Sequence, residues 1–164
     1  MKNQEKTNVM RLLDGKKTPY TAHTYEPDAS KTGAEIAALL HEAAEKVFKT
    51  LVTRGKTGKN YVFVIPVEKE LDLKKAAGAA GEKSIAMIPQ KELLPLTGYV
   101  HGGCSPIGMK KPFPTFLQES ARTFDTIFVS AGKVGFQIEI APADLAAAAG
   151  CRYADVVADK EDIS

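Results

Sequence analysis

The sequence predicts a mixed α/β domain, with helices packed on a largely antiparallel sheet. Three observations point to it. Stretches of strand-like alternation and of helical periodicity interleave along the chain. The clearest strand pairs are hairpins closed by short glycine-containing loops, and hairpin strands run antiparallel. A hydrophobic share of 44% over 164 residues suffices for one core without disulfides or metal, so residues 1–164 read as a single domain.

The elements follow in order. Thr7 and Asn8 cap a first helix that runs through Leu13 and stops near Gly15. YTAHTY, residues 20–25, alternates as a strand. GAEIAALL, residues 33–40, has helical spacing at Ile36, Leu39 and Leu40. KVFKTLVTR (46–54) and NYVFVIPV (60–67) form a hairpin around GKTGK. Asp72 N-caps a helix in LDLKKAAGAAG (71–81). SIAMI (84–88) is a short strand, and PQKELLPL (89–96) a short helix with Pro89 near its start. A glycine loop, VHGGCSPIGMKK (100–111), comes next. DTIFVSA (125–131) and FQIEIA (136–141) make a second hairpin. APADLAAAAG (141–150) is helical, and CRYADVV (151–157) is a last strand.

Charge and cysteine content exclude several classes. A net charge of +2 is too mild for strong autonomous nucleic-acid binding. The N-terminus lacks a signal-peptide run, and no window approaches the ~18 apolar residues of a membrane span. Cys104 and Cys151 are too few for a secreted disulfide scaffold, so a reduced, cytoplasmic protein is expected, without membrane contact. His23, His41 and His101 share no ligand spacing, so neither a metal nor a cofactor is expected.

Several residues carry two readings. The glycines at 102, 103 and 108 let backbone N–H groups approach a carbonyl oxygen or phosphate; equally, they suit a tight connection. The spacing is neither GxxxxGK[ST] nor GxGxxG. Cys104 is a nucleophile only with a base and a depressed pKa; otherwise it is a small hydrophobe. Alternation puts Val47, Lys49 and Leu51 on one strand face and Phe48, Thr50 and Val52 on the other. A mid-strand lysine among apolar neighbours is either a pocket cation or a solvated edge residue. Ser130 is a dyad partner for Lys49 or a turn serine. Lys110 and Lys111 form a solvated basic edge or touch phosphate.

Five motifs in one order resemble the YbaK/EbsC family of aminoacyl-tRNA deacylases, relatives of the editing domain of bacterial prolyl-tRNA synthetase. They are HTYEPD (23–28), VFKTLV (47–52), LDLKKAA (71–77), TGYVHGGCSPIGMKK (97–111) and VSAGKVGFQIEIAPADL (129–145). The resemblance implies a strongly curved sheet or barrel with flanking helices, and hydrolysis of a mischarged aminoacyl ester. In the YbaK branch that is removal of cysteine from tRNA(Pro). It implies catalytic roles for Lys49 and for Gly102 with its backbone N–H. It implies substrate contacts from Tyr25, Thr50, Gly103, Ser105, Ser130 and Gln137, with prolyl-tRNA synthetase as docking partner. Two positions depart from the family pattern: Thr32 replaces an aromatic and Gln137 an aspartate. Alternatives remain: removal of another amino acid such as alanine, or a non-catalytic module that binds tRNA or a nucleotide. In the cysteine branch the substrate's own thiol is the nucleophile, and Cys104 is bystander packing.

Overall fold

The fold, known from a computed structural model, is described for residues 6–26, 32–40 and 42–159. His41 and Asp28 lie outside these residues. Helix α1 (Asn8–Gly15) starts at Thr7, whose hydroxyl accepts from the Met10 N–H. Strand β1 (Thr21–Thr24) leads toward α2 (Gly33–Leu39), which opens on a capping box of Thr32 and Glu35. The hairpin of β2 (Phe48–Gly55) and β3 (Asn60–Pro66) pairs from Phe48↔Pro66 to Arg54↔Asn60. Asp72 accepts from the Lys74 and Lys75 N–H groups and so begins α3 (Leu73–Ala80). Then come β4 (Ile85–Met87), a 3₁₀ turn after Pro89, and α4 (Leu93–Thr97). The chain continues through β5 (Thr115–Gln118), β6 (Ile127–Ser130), β7 (Phe136–Ile140), α5 (Pro142–Ala149) and β8 (Cys151–Ala154).

The strands form two sheets, ordered β1-β7-β6 and β4-β2-β3-β5-β8. The small sheet is antiparallel throughout. The large one is antiparallel at β4-β2-β3 and parallel at β3-β5-β8. Strand β5 has no counterpart in the sequence reading. It is four residues long, follows Pro112 and Pro114, and is buried on both faces, so it shows no alternation. It nevertheless sits between β3 and β8 and holds Leu117 at zero exposure.

The sheets share one core. Ile127, Val129, Ile138 and Ile140 project from one face of the small sheet and pack with Val52, Val62, Val64 and Leu117 from the large one. A second cluster, Phe63, Ile65, Phe116 and Ala76, seats α3 on the other face of the large sheet. A parallel bridge between Val47 and Phe128 ties the start of β2 to β6. There Ala37 of α2 packs with both residues. Strand β2 has β3 along one edge, whereas β4 covers the other edge only at Thr53–Gly55. The first half of β2 therefore has an edge without a full strand partner, and that edge faces the gap between the sheets.

Candidate active site

The gap is a cavity of about 280 Å³. Five consecutive residues, Val47 through Leu51, form one wall, with Val67 beside them. This unbroken run takes in residues of both side-chain faces and lies on the part of β2 that β4 leaves uncovered. Ser130 and Gln137 come from the second face of the small sheet, opposite its core residues. Thr32 and Ile36 of α2 close one side; Leu93, His101, Gly102 and Cys104 close another. Sequence reasoning did not single out Val47, Phe48, Leu51, Val67, Ile36 or Leu93 as wall residues. The apolar run around Lys49 was the available signal for the β2 members.

Lys49 is half-buried and, among the described residues, its ammonium has no hydrogen bond or ion pair. Burial lowers its pKa from the ordinary lysine value, and the charge of Glu70 offsets part of that. Among the described residues, three buried side-chain atoms lack a hydrogen-bond partner: Tyr25 Oη, Thr50 Oγ1 and Gln137 Oε1. Thr50 and Gln137 line the cavity. Tyr25 is not a wall residue. It continues β1 through a bond from its N–H to Gly135 O (2.9 Å), on the side-chain face shared with Gln137 by alternation. Buried polar atoms without partners are uncommon, and each costs about 1–3 kcal/mol. Two in one cavity describe a site shaped for a polar ligand.

The glycine loop divides between cavity and scaffold. A bond from Gly103 N–H to Val100 O (3.0 Å) closes a turn with Gly102 at φ +89°, a sign that favours glycine at the third position. Gly102 faces the cavity. Gly103 packs against the β6–β7 turn: a Cβ there would stand 3.0 Å from Val134 N and 3.2 Å from Lys133 Cα. Ser105 is fully buried and accepts from the Ile107 N–H at 3.2 Å, bracing the loop away from the cavity wall.

Cys104 lines the cavity, but burial pushes its thiol up to about 12, with a Thr97 hydrogen bond opposing. At neutral pH it is neutral. Ser130 Oγ accepts from the Gly132 N–H at 3.1 Å, a turn role, and among the described residues no hydrogen bond joins it to Lys49. Among the described residues, no carboxylate lines the cavity. No group of three His, Cys, Asp or Glu suited to a metal occurs among the described residues. There too, no helix is long and apolar enough to cross a membrane. Lys110 reaches Pro95 O at 3.2 Å on the exposed surface.

The pocket lies where the two sheets meet. Residues 26–148 match the aminoacyl-tRNA editing domain, and the chain belongs to that family. Over 156 residues it is 45% identical to "Putative Cys-tRNA(Pro)/Cys-tRNA(Cys) deacylase EbsC" of Enterococcus faecalis, covering 94% of this chain and 95% of that one. It is 32% identical over 88 residues to a proline–tRNA ligase of Pelobacter propionicus, which takes in 54% of this chain and 15% of the ligase. The solved structure of "a putative trans-editing enzyme for prolyl tRNA synthetase" superposes with a TM-score of 0.80 at 24% identity. It covers 94% of this chain and all of that one, and it supports the fold.

Proposed function

We propose that this chain is a trans-editing deacylase that removes cysteine from mischarged Cys-tRNA(Pro). The carrying observation is a cavity that, among the described residues, has a half-buried, unpaired lysine and unpartnered polar atoms, yet no assembled protein nucleophile. A polar ligand has binding groups there, and among the described residues no hydrogen bond joins a base to Ser130 or Cys104.

The substrate's own thiol supplies the nucleophile. A free thiol has a pKa of about 8.5, so a fraction is thiolate at neutral pH. The proton leaves to solvent, and sulfur attacks the ester carbonyl. The bond to the ribose oxygen then breaks and that oxygen takes a proton, which frees the tRNA and a cyclic thiolactone. Thiol and carbonyl are tethered in one substrate molecule, and the protein holds them in attack geometry. Gly102 and its loop present N–H to the carbonyl oxygen as charge develops. Lys49 neutralises phosphate or orients the terminal adenosine. Thr50 and Gln137 offer their free polar atoms to the aminoacyl group and its sugar, with Ser130 beside them; Tyr25 supports Gln137 from the adjoining strand, and Gly103 and Ser105 hold the loop in place. Serine, with a far less acidic hydroxyl, is spared by chemistry rather than by fit. The reaction takes place in the cytoplasm, and docking to prolyl-tRNA synthetase supplies selectivity for tRNA(Pro).

The test is deacylation of Cys-tRNA(Pro) beside Ala-tRNA(Pro), Pro-tRNA(Pro) and a seryl counterpart. Rapid loss of cysteine alone is the expected result. Preferential loss of alanine, or rapid loss of serine, would replace thiol attack by water attack. No turnover of any would sink the enzymatic reading.

A further inference from the structure

We propose that His101 is the shelf on which the 3′-terminal base of the charged tRNA stacks. The inference rests on the deacylase reading and assigns a substrate contact to a residue outside the family motifs' expected roles. His101 occupies the second position of the Val100–Gly103 turn, where Gly102 takes the positive φ. It lines the cavity and is nevertheless exposed, as is Gly102. Phe48, Cys104, Ser130 and Gln137 are buried and form the floor. His101 therefore stands at the mouth.

Its ring makes no hydrogen bond, ion pair or ring contact among the described residues. Beside it in the turn Val100 is 50% exposed, an apolar side chain in water. The cavity, about 280 Å³, falls just below the ~300–1,000 Å³ usual for sites that enclose a ligand. It encloses an aminoacyl group with its sugar and leaves the purine outside, at the mouth. A free imidazole face flanked by an apolar side chain is a stacking surface for such a base. Every tRNA ends in adenosine, so this contact strengthens binding without choosing among tRNAs.

Steady-state deacylation of Cys-tRNA(Pro) by wild type, His101→Ala, His101→Phe and His101→Lys tests the shelf. A ring in the stack predicts a KM about tenfold higher for His101→Ala with kcat held within about twofold, and recovery of KM in His101→Phe. Recovery by His101→Lys with failure of His101→Phe would overturn stacking in favour of a phosphate contact. An unchanged KM in His101→Ala would also overturn it. In parallel, adenosine 5′-monophosphate titrated into the unliganded wild type should shift the His101 ring resonances, and no shift would count against the shelf. A wild type that deacylates nothing defeats the deacylase reading itself, while the nucleotide titration still judges the shelf.

Discussion

Lys49 is the residue on which most depends. Among the described residues its ammonium, kept half out of water, has no hydrogen bond or ion pair, so the fold carries a cost that Glu70 only partly offsets and that a bound anion or oxygen would reduce. Lys49→Ala is expected to lower kcat/KM about a hundredfold or more, measured on Cys-tRNA(Pro). Lys49→Met keeps the side chain's length without the charge; it should raise Tm by about 2–4 °C while losing activity. The pH profile follows from the same shift. Activity rises with the substrate thiolate toward about pH 8.5 and falls as Lys49 loses its proton below the ordinary lysine value of about 10.4. Stability moves the other way on the alkaline side. Between the folded and unfolded pKa values the unfolded chain binds more protons, so Lys49 costs less as pH rises. Cys104 is the contrasting case. With its thiol held up to about 12, Cys104→Ala should retain most deacylation, and a well-folded but inactive variant would make Cys104 a participant.

At the scale of elements, the loops and strands that frame the cavity respond to packing changes. Gly103→Ala drives a Cβ to 3.0 Å from backbone in the β6–β7 turn; thermal unfolding should show a loss of about 1–3 kcal/mol and a displaced Gly102. Leu117→Ala in β5 should cost about 2–5 kcal/mol, since the side chain is wholly buried between strands. Both hairpins, the Asp72 cap and α5 were legible because turn chemistry and periodicity agree locally there. Strand β5 was not, because a short strand buried on both faces has no polar face to alternate with. The cavity was legible in pieces. Lys49, Thr50, Gly102, Ser130 and Gln137, which stand in the family motifs, do meet in one space. Alternation assigned Val47 and Phe48 to opposite faces and so concealed that both line it. Only the open edge of β2, a property of sheet pairing, brings them together.

For the whole molecule, a net charge of +2 limits how many phosphates the chain can neutralise. Binding of isolated tRNA should be weak, with a shallow dependence on salt and little preference for tRNA(Pro) over tRNA(Cys). Adding prolyl-tRNA synthetase should raise that preference, as measured by deacylation of the two cysteinyl substrates in competition. Tight and selective binding by the chain alone would remove the need for a docking partner.

The pairing of β1 with β7, Thr21↔Glu139 through Thr24↔Phe136, bears on how the protein is made. An emerging chain carries Tyr25 early, yet the strands that bear Ser130 and Gln137 leave the ribosome more than a hundred residues later. The gap between the sheets is thus among the last features to exist during synthesis. Contacts so distant along the chain favour slow folding, on the order of milliseconds to seconds. A stalled or prematurely released polypeptide holding Lys49 and the glycine loop but not β7 would lack one wall of the gap. Editing capacity in the cell should therefore track completed chains, not the message or the initiation rate.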